Sequence, residues 1–192
     1  MNVALWLCKI YLSSDRIFGA AMNETAQAIM DAAEARIRSG GYMGFSFRDL
    51  AADVGVKSAS VHYHFPTKEL LAAAVARRYR ERFLAEVDRD IAAGGDLVAA
   101  WKAGFLRAID SDGGMCLCGV LGAAAGILPH VVRSEAREFF EAGLAQMRAN
   151  GLSSVRALQV LAVLEGAILI AVALNSPAAF EDATGVLDAT RG

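Results

Sequence analysis

Apolar residues return every third or fourth position along most of this chain, and that period leaves few folds open. Leu71, Val75, Tyr79, Phe83 and Val87 recur every four residues, while Phe47, Leu50, Ala51 and Val54 fall at i, i+3, i+4 and i+7. No alternation of period two persists, and only 3 prolines interrupt 192 residues. The expected fold class is all-α. A hydrophobic share of 55% against 21% charged residues excludes a disordered or solvating chain and calls for a large buried core.

Capping and breaking residues divide the pattern into helices. A first helix spans about 24–39, stopped by Gly40-Gly41. Ser46-Phe47-Arg48-Asp49 has the form of a capping box that opens a short second helix, and Gly55 supplies a turn. Ser58 is the expected cap of a third helix, which ends near His64 because Phe65 precedes Pro66. Thr67 caps a long fourth helix over about 68–91. Further helices are expected at roughly 96–109, 115–128, 131–150, 153–174 and 177–189. Residues 1–21 do not match the rest, and Met22-Asn23-Glu24-Thr25 looks like a natural start, so 1–21 reads as an extension. The expected division is a small domain at 22–68 and a larger one at 69–192, joined through the helix at 68–91.

Charge is distributed unevenly. The net charge is -2, but residues 22–80 carry 8 Lys+Arg against 6 Asp+Glu, and residues 81–192 carry 9 against 14. A mildly basic front on an acidic body suits a nucleic-acid reader joined to something else. The three cysteines, Cys8, Cys116 and Cys118, form no spaced framework, which fits a reducing cytoplasm. The apolar start lacks the features of a signal peptide. The run 160–174 is interrupted by Glu165 and has no basic flank, so a buried helix is expected there rather than a membrane span.

Two short helices joined by a tight glycine turn form a helix-turn-helix. Ala51 lets the next helix cross closely, and Val56 and Val61 fill the small core between them. Lys57, Ser58, Ala59, Ser60, His62, Tyr63 and His64 are left facing outward. Hydroxyls, imidazoles, a phenol and an ammonium on so short a helix suit a major groove. His62 and His64, two residues apart, diverge on a helix and make a poor metal pair, and no metal or cofactor is expected.

The stretch from Phe47 to Leu71, FRDLAADVGVKSASVHYHFPTKELL, resembles the DNA-binding signature of the TetR/AcrR-like repressors, and the resemblance covers about residues 24–80. It implies that Arg48 and the exposed face of the third helix, Ser58 and His62 among it, read bases of a double-stranded operator, with Lys57 just before that helix also on the DNA-binding surface. It implies that Ser46, Ser60, Tyr63, His64 and Lys68 grip phosphates. His62 departs from the aromatic hydroxyl that many relatives carry, so the base it prefers stays open. Phe65 reads as a packing residue.

Over 81–192 only helix order and length agree with that family. The resemblance implies a helical body that encloses a small-molecule cavity and forms a homodimer, with an inducer changing the spacing of two DNA-reading heads on a roughly palindromic operator. The two most apolar helices, at about 153–189, are the expected dimer bundle. Trp101, Phe105, Cys116, Phe140 and Glu165 are candidate lining residues. Glu165, set among Val, Leu and Ile, is costly to bury unless paired or protonated. It can face a polar ligand, pair with Arg156 or Arg107, or lie on the dimer seam. Cys116 and Cys118 stand near a helix start, where the dipole lowers a thiol pKa, so an electrophile- or oxidant-sensing repressor is the alternative. Two small buried hydrophobes is the plainer reading of the pair. No phosphate loop, HExxH or Ser-His-Asp set argues for an enzyme. Glu135, Glu138 and Glu141 interleave with Arg133 and Arg137 as a charge-paired face.

Overall fold

The computed structural model describes residues 24–111 and 114–188; the expected extension at 1–21 and the end of the last helix lie outside these. Helices account for the regular structure, and no strand occurs among the described residues. In chain order they are α1 (Glu24–Gly40), α2 (Phe47–Val54), α3 (Ser58–His64), α4 (Lys68–Ala92), α5 (Leu97–Asp110), α6 (Leu117–Ala123), α7 (His130–Ala149), α8 (Ser154–Ala173) and α9 (Pro177–Thr184). Short 3-10 turns occupy Tyr42–Gly44 and Gly185–Leu187.

Local chemistry sets the limits. The Ser46 hydroxyl accepts from the Asp49 amide while the Asp49 carboxylate accepts from the Ser46 amide, so the capping box closes with Asp in place of Glu. Thr67 caps α4 through the Leu70 amide, and Asp96 and Ser153 cap α5 and α8.

Three expectations are corrected. Lys57, not Ser58, holds the N-cap position of α3, and no side chain caps it. The helix expected over 115–128 is only Leu117–Ala123, because Gly126 and then Pro129 follow within two turns and Ala124-Ala125 bring no bulky side chain to pack another turn in place. The last helix stops at Thr184 and gives way to a 3-10 turn at Gly185.

The long helix α4 is the spine. Leu71, Val75, Tyr79, Phe83 and Val87, the four-residue series, are all buried. Phe83 lies 5.2 Å from the Trp101 ring, 5.6 Å from Phe105 and 5.4 Å from Phe139, and Phe105 stacks on Phe180. This aromatic cluster joins α4, α5, α7 and α9, and burying it supplies much of the drive for the body to assemble.

On its flanks α4 carries arginines that reach two buried carboxylates. Glu135 of α7 accepts from Arg77 (2.9 Å) and Arg80 (2.9 Å), and Glu34 of α1 accepts from Arg78 (3.1 Å) and Arg82. The charge-paired face expected around Glu135 thus draws its partners for that residue from α4 rather than from Arg133 or Arg137, since Glu135 points into the seam. Arg137 pairs with Glu141.

Helix α8 buries Ala157, Val160, Leu161, Leu164, Ala167, Ile168 and Ala171 against the body. By length and composition it is apolar enough to cross a bilayer, the one such helix among the described residues. Its other face leaves Val155, Leu158, Leu169 and Val172 in solvent.

Candidate nucleic-acid interface and ligand cavity

The head is built around one reversal. Gly55 takes a left-handed conformation (φ 75, ψ 30), which a side chain would strain, and the Val56 amide closes the turn on the Ala51 carbonyl at 2.9 Å. Leu50, Ala51, Val61 and Phe65 are buried at the junction of α2 and α3, with Val56 packed against them. Phe65 is 1% exposed and therefore packs. Arg36 of α1 holds Asp53 at the end of α2 (2.8 Å), fixing the pair against α1.

That core turns the polar residues outward. Ser46, Arg48, Lys57, Ser58, His62 and Tyr63 are exposed, and Ser60 and His64 are half-buried. Tyr63 is 83% exposed, the most exposed large hydrophobic side chain described. Its ring meets His64 edge-on at 5.1 Å, and His62 meets Phe47 at 4.7 Å, so only the His62 imidazole is oriented from α2. Lys68 is placed differently. Its ammonium donates to the Phe45 carbonyl at 2.6 Å and lies over the Tyr42 and Phe45 rings, and desolvation holds its pKa below the usual lysine range.

In the body, α6, α7 and α8 surround a cavity of ≈ 970 Å³ whose wall is almost wholly apolar. This is the size range of small-molecule sites. Of the five candidate lining residues, Phe140 and Glu165 line it. Cys116 sits behind Gly119, whose amide donates to its sulfur at 3.4 Å. Trp101 and Phe105 instead belong to the aromatic core, fully buried, with the Trp101 indole donating to Gln146 at 3.1 Å. Met115, Val120, Leu144, Leu169 and Arg133 are lining residues that sequence reasoning missed. The small-residue run Gly119–Gly126 was the available signal, since a helix stripped of bulk leaves space opposite it.

Glu165 is the cavity's internal charge. Its Oε1 is cut off from solvent and has no hydrogen-bond partner among the described residues. Burial pushes its pKa up to about 7, opposed only by the neighbouring Cys116 thiol. Neither Arg156, which reaches the Leu187 carbonyl, nor Arg107, which pairs with Glu86 and Asp90, meets it. Gly119 makes the room: a methyl there would stand 2.3 Å from Glu165 Oε2.

The thiols behave opposite to the dipole expectation. Cys116 and Cys118 are fully buried, and burial followed by the nearby Glu165 charge raises both well above the ordinary thiol range. Desolvation outweighs the helix dipole here, so neither is held as a thiolate and the sensing alternative gains no support.

Head and cavity are mechanically joined. Arg38, at the end of α1 and 5% exposed, donates to the Met115 carbonyl (2.7 Å), to Ser111 Oγ (2.7 Å) and to the Ala108 carbonyl. Met115 is itself a lining residue.

Comparison with known proteins gives a consistent picture. Residues 29–75 match the family of bacterial regulatory proteins, tetR family. The solved TetR transcriptional regulator from Legionella pneumophila is 28% identical with a TM-score of 0.80, over 89% of this chain and 99% of that one. A TetR-family transcriptional regulator from Agrobacterium tumefaciens is 27% identical with a TM-score of 0.77, over 85% and 95%. The multidrug binding protein EbrR, solved with imidazole, is 30% identical with a TM-score of 0.64, over 89% and 100%. No curated protein matches the chain.

Proposed function

The chain belongs to the TetR family of bacterial regulatory proteins, and on that premise we propose that it is a cytoplasmic repressor that binds a palindromic operator as a homodimer and releases it when a small molecule fills the α6–α7–α8 cavity. The observation that carries this reading is the α3 face. A seven-residue helix pinned by Gly55 and Val61 leaves His62 and Tyr63 exposed, beside Arg48 of α2 and its N-cap Ser46. Groups of this kind give a monomer nothing when left in water, and they match phosphate oxygens and base edges in a major groove.

The remaining parts follow physically. Val155, Leu158 and Val172 form an apolar stripe on α8 that a second copy of the chain covers, and that two-fold pairing sets the distance between two α3 helices. Arg38 passes a displacement of Met115 at the cavity to α1, and thus to the head. For Lys68, the bonds it makes within the head favour a role in shaping the Tyr42–Phe45 corner; its ammonium reaches a phosphate only by leaving the Phe45 carbonyl.

The test is fluorescence anisotropy with duplexes from the DNA flanking the protein's own gene, at two salt concentrations. The chain should bind one duplex selectively, and an Arg48→Ala/Tyr63→Ala variant should lose roughly 100-fold in affinity with its fold intact. Equal, salt-erased binding to every duplex would leave only phosphate attraction and sink the operator reading.

A further inference from the structure

The chemistry of the cavity narrows what fills it. Nearly all of its wall is carbon, from Val120, Phe140, Leu144 and Leu169 among others, so most of the occupant is apolar. Against that wall stands one carboxylate with a buried, unpartnered oxygen. The same protein satisfies its other buried carboxylates fully: Glu34 and Glu135 each receive two arginines. A third acid beside a cavity, with one oxygen unbonded, no cation and only the Cys116 thiol beside it, and with Gly119 hollowed to admit it, costs stability that a purely structural residue would not.

The other charged groups on the cavity are Arg133, Arg137 and Glu141, all on α7. They are exposed, and Arg137 is paired with Glu141 at 2.7 Å, so water and pairing weaken them. The remaining titratable neighbours are the buried Cys116 and Cys118 thiols. Depth therefore decides which charge a ligand feels most strongly, and the deep one is Glu165.

We propose that the effector is a lipophilic monocation, an apolar body of small-molecule size carrying one ammonium or amidinium-type nitrogen, with that nitrogen seated against Glu165 and the body along Phe140, Leu144 and Leu169. The inference rests on the reading of this cavity as the effector site. The nitrogen completes the open valence of Oε1, and the apolar wall strengthens the ion pair by excluding water. The bound cation favours the ionised carboxylate, so binding releases a proton wherever Glu165 is still protonated.

The experiment is isothermal titration calorimetry of the full chain with three probes of equal chain length below their aggregation concentrations: decylammonium, 1-decanol and decanoate. At pH 8 the cation should bind at least about tenfold more tightly than the alcohol, and Glu165→Gln should erase that preference while leaving the alcohol unchanged. With a carboxyl that titrates at about 7, wild-type affinity for the cation should rise about tenfold from pH 6 to pH 8, and affinity for the alcohol should not. The pH series needs no variant, so it stands if Glu165→Gln misfolds. Equal binding of cation and alcohol overturns the charge assignment but keeps the cavity as an apolar site. Tighter binding of decanoate overturns it in favour of the mouth arginines. Absence of binding by all three removes the effector-site reading as well, while the operator assay judges the DNA-reading head separately.

Discussion

The seam along α4 and the cavity between α6, α7 and α8 treat buried carboxylates in opposite ways. In the seam Glu135 is 5% exposed and bonded by Arg77 and Arg80, and Glu34 is 7% exposed and bonded by Arg78 and Arg82. In the cavity Glu165 keeps an oxygen with no partner among the described residues, and burial raises its pKa to about 7. The seam acids fasten helices; removing one takes an acceptor from two arginines of α4. The cavity acid fastens nothing, and its unmet bond is what gives the site chemical selectivity. Burial by itself therefore does not tell a structural carboxylate from a recognition group; the inventory of partners does.

The largest effect that would break this contrast belongs to the seam. Glu135→Ala should destabilise the fold by about 3 kcal/mol, because Arg77 and Arg80 each lose a buried carboxylate that ties α4 to α7, Arg80 keeping its pairing with the exposed Glu138; urea unfolding would show it. Glu165→Gln should do the reverse at pH 8, stabilising the ligand-free chain by about 2 kcal/mol. The sign follows from the shift. A folded pKa raised from 4.5 to about 7 gives a stability contribution fully present below pH 4.5 and lost as pH climbs through 7. The wild type should therefore lose stability across that window relative to the variant, and parallel unfolding curves at pH 5 and pH 8 would contradict the assignment.

Arg38→Ala sharpens the comparison at the joint between the regions. Operator affinity of the ligand-free chain should change little, but the loss of affinity caused by ligand should shrink several-fold, about 1 kcal/mol of coupling, in anisotropy titrations. Undiminished release would show that the signal travels by another route. The smallest effect is expected from Gly119→Ala. Its new methyl displaces the Glu165 carboxylate, so decylammonium should bind a few-fold more weakly while 1-decanol binds as before.

The head was legible residue by residue, because its information is local. The Ser46–Asp49 box, the Gly55 turn and the Phe65-Pro66 stop each depend on neighbours within a few positions, and each appears in the structure. The error at Ser58 was also local: a hydroxyl is a common cap, but here Lys57 already has the extended backbone that begins the helix. The cavity was only partly legible. Phe140 and Glu165 stood out as an aromatic on a helical stripe and a charge in an apolar run. Trp101 and Phe105 have the same periodic signature as lining residues yet close the aromatic core with Phe83 and Phe139. Periodicity reports which face of a helix is apolar, and it does not report whether another side chain or empty space lies opposite.

From the sequence alone came the all-helical class, the order of the helices and the outward set on α3, since each depends on spacing and capping along one segment. The resemblance to the TetR repressors also rested on residues contiguous in the chain. Only the tertiary structure decided that Glu135 and Glu34 are paired while Glu165 is not, that Lys68 is drawn to the Phe45 carbonyl, and that two buried thiols are raised rather than lowered in pKa. Pairing, burial and empty volume are sums over residues brought from distant parts of the chain, so they exist only once the helices have packed.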